Sequence, residues 1–350
     1  MKIETRGSDM KFIRTLMAAA TALAVTAFVA PTFAADDPGP AAYAQALKGK
    51  RVMLVPLAMG FDLAQGWAHY LKTEVEAWGG VFETRDPNWV VDAGAQAITD
   101  AISSDTRPDV LIIHAPDLNS YSKLMKKAQA AGTYVILVDN PANFPADAFV
   151  GSDWDRLGQL EAEAAIKGCG ENSSKKIGLV QGDQANSSSL YQYAGIMKVL
   201  DKHPDFKVVA KPDSNWDATT SRNVTTTMLQ QNPDICSIID FWDGDATGAS
   251  AAIRDAKLDG KVFLVTTGGG EKAADCDKLQ DGTYGAVVMT ELARQSGDMN
   301  AIIKFLLQSG QPAGTSHTYI YTLEKATTKA DLKPDSCWDL KALQAQAAAK

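Results

Sequence analysis

The chain has 350 residues, of which 34 are Lys or Arg and 42 are Asp or Glu, and its formal net charge is −8. An acidic surface repels phosphate backbones, so this charge argues against nucleic acid as a partner. The length suits two lobes of ordinary size.

The first segment of the chain has the features of a secretory signal peptide. Lys11 and Arg14 precede an apolar run at 16–30, and the small-residue stretch PTFAAD follows it. The run is shorter than the roughly 20 residues that a membrane-spanning helix requires. We therefore predict a signal peptide over 1–34 that is cleaved near Ala34, a flexible lead-in over 35–47, and export of the mature chain.

After the lead-in, the sequence alternates short apolar strands with amphipathic helices. Nine strands are predicted, at 51–57, 81–86, 109–115, 134–140, 176–182, 207–212, 237–241, 261–267 and 284–290. The strand, helix, strand order of the first half recurs from about Lys175, which indicates two similar lobes with a boundary near 149–155. This alternation predicts an α/β fold made of two doubly wound, parallel-sheet lobes.

Polar and aromatic side chains collect directly after these strands. Ligands of parallel sheets bind outside the carboxyl ends of the strands, so these residues are candidates for a binding site. They are Asp62, His114, Asp139 and Asn140 in the first half, and Asn186, Trp216, Trp242 and Asp243 in the second. Aromatic rings stack on apolar C–H faces, while carboxylates and amides hydrogen-bond to hydroxyls. The set predicts a site for a neutral, polyhydroxylated molecule; the alternative for each Asp is a helix cap.

Motifs for catalysis are weak or absent. The sequence contains no HExxH, GxSxG or Walker motif, and its four histidines, His69, His114, His203 and His317, are scattered. The glycines at 266–272 follow a strand, but their spacing is not that of a dinucleotide-binding loop. No nucleophile with a base beside it is visible, so we predict no enzymatic activity, no cofactor and no metal site. An exported enzyme with the same layers is the competing interpretation.

The four cysteines lie far apart, without a CxxC pair or a neighbouring histidine. In an exported protein this pattern favours disulfides over a metal site. Cys169 and Cys236 precede the first and third strands of the second lobe, which are neighbours in a doubly wound sheet. We therefore predict a Cys169–Cys236 disulfide, with a second between Cys276 and Cys337 that attaches the C-terminal segment to the second lobe.

The signal peptide, the paired lobes and the strand-end residues together resemble the type I periplasmic binding proteins of the ribose and simple-sugar class, which are receptors of ABC importers. The resemblance covers about 48–340 and is carried by VMLVPLAMGFDLAQGW, VLIIHAPD, GTYVILVDN, VGSDW, LVQG and DFWDGDATGA in this order. It implies a periplasmic monomer that closes about a hinge around a small ligand and is then recognised by a membrane permease.

The resemblance also implies lobe boundaries, because such chains cross between the lobes three times. The crossings are expected near 150–155, 288–292 and 316–320, which gives a three-segment hinge. The first lobe would comprise 48–150 with about 291–317, the second 151–290 with about 318–340, and the tail 341–350.

Family positions can be carried over to single residues of this sequence. The ring of the family's first loop falls near Phe61, its Asp-Arg pair on Asp139 and Asn140, its helix-start Arg near Gln192, its second-lobe aromatic residue on Trp216 and its Asn on Trp242. Both family arginines are therefore replaced. The implied ligand is a polyol or a less common sugar, with a non-sugar ligand, or a role as ligand-sensing partner of a chemoreceptor, as the alternatives.

Overall fold

The computed structural model describes residues 37–348, so the predicted signal peptide lies outside the described residues. The first part contains α1 (Gly39–Leu47), β1 (Arg51–Val55), α2 (Asp62–Ala77), β2 (Val81–Thr84), α3 (Val91–Ser103), β3 (Val110–Ile113), α4 (Ser122–Ala130), β4 (Tyr134–Val138), β5 (Ala148–Ser152), α5 (Trp154–Cys169), β6 (Lys176–Val180) and α6 (Ser187–Leu200). There follow β7 (Lys207–Ala210), α7 (Ala218–Gln231), β8 (Ser237–Asp240), α8 (Asp243–Asp255), β9 (Phe263–Gly268), a π-helical turn (Lys272–Cys276), α9 (Asp277–Asp281), β10 (Ala286–Met289), α10 (Leu292–Ser309), β11 (Thr318–Thr322), β12 (Lys325–Thr327), a 3₁₀ turn (Lys329–Asp331) and α11 (Leu340–Ala348).

The described strands form two six-stranded sheets, one in each lobe. The first sheet has the order β11-β5-β4-β3-β1-β2, and all of its strand pairs are parallel. The second has the order β12-β10-β9-β8-β6-β7, in which only the β12–β10 pair is antiparallel. The predicted fold class, two doubly wound parallel-sheet lobes, is confirmed.

Each lobe has an apolar core on both faces of its sheet. Side chains alternate between the faces of a strand, so Ile112 and Ile113 of β3 belong to opposite cores of the first lobe. Ile238 and Ile239 of β8 do the same in the second lobe. Burial on both faces explains why the central strands are continuous apolar runs in the sequence.

All nine predicted strands are present, but the sequence analysis missed β5, β11 and β12. The edge strand β11 alternates between half-buried and exposed positions up to its buried last residue, Thr322, and therefore lacks an apolar run. It pairs with β5 in the first sheet. The third crossing consequently lies between Thr322 and Lys325 rather than near 316–320, and 318–322 belong to the first lobe.

The lead-in is predicted to be flexible, but α1 forms there, and α11 forms in the tail. Leu47 is fully buried at the end of α1. Leu343 packs into the core of the first lobe. Gln344 Nε2 also donates a hydrogen bond to Gln65 Oε1 on α2, at 3.0 Å. One buried leucine thus attaches each Ala-rich segment to the folded chain. The amino-acid composition of the segment does not show this contact.

Both predicted disulfides are confirmed. Cys169 and Cys236 are bonded with a Cα–Cα distance of 5.1 Å, and Cys276 and Cys337 with one of 6.2 Å. The second disulfide holds the C-terminal segment against the loop after β9, where Trp338 Nε1 donates to Gly269 O at 2.7 Å.

Candidate ligand-binding site

A cavity of about 580 Å³, here called the cleft cavity, lies at the carboxyl ends of the strands of both sheets. Seven of the ten predicted ligand residues line it, namely Phe61, His114, Asp139, Asn140, Asn186, Trp216 and Trp242. The ten predicted ligand residues do not include the other lining residues, which are Leu57, Leu63, Trp89, Trp154, Ser188, Phe241, Thr267, Gly268, Gly269 and Thr290.

The two lobes touch across this cavity, so the structure represents a closed form. Asn186 of the second lobe donates through Nδ2 to Pro116 O of the first lobe at 3.0 Å. The rings of Phe61 and Trp242, also from opposite lobes, meet edge to face with centroids 6.0 Å apart.

Four aromatic rings form a continuous wall of the cleft cavity. Trp242 is at its centre, with Trp89 at 5.9 Å and Trp216 at 6.3 Å between ring centroids, in addition to Phe61. Phe61 and Trp89 are 5.6 Å apart. Two rings come from each lobe, so a ligand that stacks on them contacts both lobes at once.

Two glycines determine where the second-lobe tryptophans lie. A Cβ added at Gly182 would overlap the ring of Trp216, and one added at Gly244 would overlap the ring of Trp242. Both rings therefore pack directly on backbone, in positions that a larger residue would occupy. This close approach fixes the rings without additional side chains.

Matching turns in the two lobes direct Trp89 and Trp216 toward the cleft. Asn88 and Trp89 have φ of 47° and 66°, and Asn215 and Trp216 have φ of 54° and 59°. The left-handed region is unfavourable for a bulky residue, and such backbone strain is concentrated at functional sites. The sequence analysis included Trp216 in the site but not Trp89. The recurrence of Asn-Trp after the second strand of each lobe is the signal that could have found it.

The polar part of the cleft cavity is centred on His114 and Asp139. His114 Nε2 is 3.6 Å from Asp139 Oδ2, and both side chains are buried. Burial lowers the pKa of His114 to about 3, so its imidazole is neutral. Burial, reinforced by the charge of Glu324, raises the pKa of Asp139 to about 7. His114 Nδ1 and Asp139 Oδ1 have no hydrogen-bond partner among the described residues, and no Lys or Arg lines the cavity.

Three predicted ligand residues, Asp62, Gln192 and Asp243, do not line the cleft cavity. Gln192 is buried and donates through Nε2 to Glu161 Oε2 at 2.9 Å, so it joins α6 to α5. Asp62 begins α2, where its Oδ1 accepts from the Leu63 N–H at 2.7 Å. Asp243 begins α8 and is buried outside the lining of the cavity. The lining therefore does not support the predicted contact of Asp243 with a ligand.

Asp243 instead belongs to a cluster of three carboxyls, with Asp62 from the first lobe and Asp275 from the second. Burial is the main cause that raises the pKa of Asp62 to about 6, that of Asp275 to about 8, and that of Asp243 well above its usual range. Mutual repulsion adds to it, and Glu271 contributes to the repulsion on Asp62 and Asp275. Asp275 Oδ2 accepts from the Gly270 N–H at 2.7 Å, and the carboxyls of Asp243 and Asp275 share a hydrogen bond that helps to raise the pKa of Asp243 and opposes the rise at Asp275.

The described part of the chain has neither a membrane-spanning helix nor a metal site. None of its helices is both long and apolar enough to cross a membrane. Between residues 37 and 348, no group of three or more His, Cys, Asp or Glu side chains is arranged to hold a metal ion.

Two parallel-sheet lobes that close on a cavity walled by aromatic rings define a two-lobed, small-molecule binding protein. Residues 52–312 match the family described as periplasmic binding protein domain, and the chain belongs to this family. The predicted resemblance to the simple-sugar class is thereby confirmed, because the relatives named below are sugar-binding proteins.

Two relatives illustrate the extent of the sequence similarity. The D-apiose import binding protein of Paraburkholderia graminis is 28% identical over 191 residues, which cover 47% of this chain and 59% of the relative. The D-allose-binding periplasmic protein of Escherichia coli is 29% identical over 168 residues, which cover 45% of this chain and 53% of the relative. The chain thus spans little more than half the length of these curated relatives.

Solved structures show the same fold. A periplasmic solute-binding protein of an ABC transporter from Actinobacillus succinogenes, with bound D-allose, has a TM-score of 0.71 at 20% identity and covers 81% of this chain and 98% of its own. A carbohydrate-transporter solute-binding protein from Agrobacterium radiobacter, in complex with D-arabinose, has a TM-score of 0.73 at 17% identity, with coverages of 84% and 98%.

Removal of each disulfide in turn tests whether the loop after β9, which contains Gly269, supports one wall of the cleft cavity. Their sequence separations are 67 and 61 residues, so replacing either cysteine pair with alanine should lower the free energy of unfolding by a similar amount, about 3–4 kcal/mol. Only the loss of Cys276–Cys337 should also weaken ligand binding, because Trp338 beside it holds Gly269, which lines the cavity. Denaturant unfolding and ligand titration of both double variants would measure this, and equal effects on binding would contradict it.

Proposed function

We propose that the mature chain is the exported substrate-binding receptor of an ABC importer, and that it captures a small neutral, hydroxylated ligand in the cleft cavity. The ligand is a sugar or a polyol. The observation that carries this proposal is the composition of the cavity, which is lined by aromatic rings and by the buried His114 and Asp139, each with an unpartnered polar atom, and by no Lys or Arg. The relatives named for D-apiose and D-allose, and the structures that hold D-allose and D-arabinose, support the same ligand class.

Each part of the cavity has a defined role in this proposal. The rings stack on the apolar C–H faces of the ligand, and the polar atoms bind its hydroxyls. Neutral His114 can donate from one ring nitrogen and accept at the other, and Asp139, with a pKa of about 7, can do either as well. A hydroxyl is both donor and acceptor, so it can satisfy each of these groups without adding charge.

Capture follows from closure of the lobes about three connecting segments, after β5, after β10 and after β11. Stacking on Phe61 and Trp242 requires both lobes, so these ligand contacts exist only in the closed form. This differential affinity shifts the population from open to closed. The closed receptor then presents a composite surface of both lobes to the membrane permease. We also propose that the receptor acts as a monomer in the periplasm, without chemical turnover of its ligand, after cleavage near Ala34.

Titration with matched ligand pairs tests the proposed class. Sugars and polyols should bind, whereas the corresponding sugar acids and sugar phosphates should not, because an anion would enter a buried site that contains Asp139 and no cation. Isothermal calorimetry of a polyol beside its acid measures the difference. Tighter binding of the acid would refute the neutral-ligand assignment, and chemical conversion of a bound compound would refute the receptor assignment.

A further inference from the structure

A second cavity of about 530 Å³, here called the outer cavity, adjoins the cleft cavity at its mouth. Four residues line both cavities, namely Leu57, Trp89, Asn186 and Trp216. Both lobes contribute to its walls, with Pro87 to Val91 on one side and Asp183 to Asn186 on the other. The outer cavity therefore extends the space between the lobes beyond the cleft cavity.

Part of the lining of the outer cavity consists of exposed apolar side chains. An entrance that only admits hydrated ligands would not require such side chains. Trp89, Val90 and Val91 are consecutive in the sequence and are 42%, 53% and 41% exposed. Contiguous exposed apolar side chains at a cleft commonly mark a binding surface. Pro87 and Tyr121 extend the same apolar wall.

This apolar rim is held in place by hydrogen bonds. The Trp89 N–H donates to Leu57 O at 2.8 Å, within the turn in which Asn88 and Trp89 are left-handed. Tyr121 Oη donates to Val91 O at 2.9 Å. A rim already fixed before binding loses little conformational entropy when a ligand contacts it.

Charge restricts what can occupy the outer cavity. Asp117 and Asp183 are its charged lining residues, and no Lys or Arg accompanies them. Asp117 accepts from the N–H groups of Asn119 and Ser120, which with the Ser120 hydroxyl lower the pKa of its carboxyl. An anionic group would therefore be repelled, whereas the apolar face of a neutral ring would be accepted.

We propose that the outer cavity is a second subsite, which binds a neutral ring attached through a glycosidic oxygen to the sugar held in the cleft cavity. The preferred ligand is then a glycoside or a disaccharide rather than a free monosaccharide. This inference rests on the proposed function and deepens it. Trp89 and Trp216 form the shared wall, so each can contact both halves of such a ligand.

Calorimetric titration with D-ribose, D-allose and D-arabinose, with their phenyl glycosides and with disaccharides that contain them, tests the proposal on the full-length mature chain. At least one extended compound should bind about tenfold more tightly than its free sugar. Phenyl glycosides and disaccharides distinguish an aromatic from a sugar second ring. A free sugar that binds as tightly as every extended form would overturn the second subsite and leave the receptor function intact. Failure of all sugars and glycosides to bind would overturn both.

Val90→Ser locates the second ring. Val90 lines the outer cavity and is also the N-cap residue of α3, a position that serine favours, so the variant should fold. It should weaken binding of the extended ligand about three- to tenfold and leave binding of the free sugar unchanged. The matched control is Val81→Ser, on the exposed edge strand β2. If Val90→Ser leaves the preference for the extended ligand intact, the second ring does not lie in the outer cavity and the proposal is wrong.

Discussion

Trp242→Ala should weaken ligand binding by about 2 kcal/mol, or roughly 30-fold, without a comparable loss of stability. Trp242 contacts Phe61, Trp89 and Trp216, so its removal opens the centre of the aromatic wall and separates the rings of the two lobes. Hot-spot residues of this kind combine a large buried ring with a central position. Titration and tryptophan fluorescence of the variant would measure the effect, since closure in the wild type should change the surroundings of the four tryptophans that line the cavity.

Two further variants distinguish the effect of the position of the Trp242 ring from that of a general loss of stability. Gly244→Ala retains Trp242 but adds a methyl group where the indole now lies, so it should also weaken binding. Trp78→Ala removes a partly buried indole that packs against the first-lobe core outside the cleft, so it should lower stability while binding is unchanged. Unchanged affinity in both Trp242→Ala and Gly244→Ala would remove Trp242 from the site.

Ligand affinity should fall by about tenfold as the pH rises from roughly 5.5 to 7.5. Closure brings Asp62 of the first lobe to Asp243 and Asp275 of the second, and burial there raises the pKa of Asp62 to about 6 and that of Asp275 to about 8. Opening of the lobes should separate Asp62 from the other two carboxyls and expose it to water, so we expect its pKa to return toward its ordinary value. Closure of the lobes therefore takes up protons at pH values between the open-form and the closed-form pKa of Asp62.

The direction of this pH dependence follows from which form of the receptor, open or closed, binds protons more tightly. A group whose pKa is raised in the closed form stabilises closure fully below its open-form pKa, and this contribution is lost as the pH rises through the closed-form pKa. Asp139, whose pKa burial raises to about 7, acts in the same direction. A cationic ligand would reverse the dependence because it would favour ionised Asp139. Affinity that increases with pH would thus contradict the neutral-ligand proposal.

Asp62→Asn isolates the carboxyl cluster from Asp139. The amide keeps the size of the side chain but carries no charge, so the variant should bind more tightly than the wild type at neutral pH and show a shallower pH dependence. Asp92→Asn, at an exposed position in the first turn of α3, is the matched control and should change neither quantity. An unaltered pH profile in Asp62→Asn would show that the cluster does not take part in closure.

The fold and the disulfides could be predicted because their signals are local or follow from a simple topology. Central strands such as β3 and β8 are buried on both faces, which requires consecutive apolar residues and makes the strands visible in the sequence. Cys169 and Cys236 precede neighbouring strands of a doubly wound sheet, so the strand order alone brings them together.

The sequence by itself determined two parallel-sheet lobes and a group of rings and polar residues at the ends of their strands. Which of these side chains face the cavity was decided only by the tertiary structure. Trp242 and Asp243 are adjacent in the sequence, yet the ring lines the cleft and the carboxyl joins Asp62 and Asp275 outside the lining. Strand β11 likewise joins the first lobe only because β5 offers it a free edge. Periodic burial is encoded residue by residue, whereas the direction of a side chain at a helix start and the partner of an edge strand depend on contacts with distant parts of the chain.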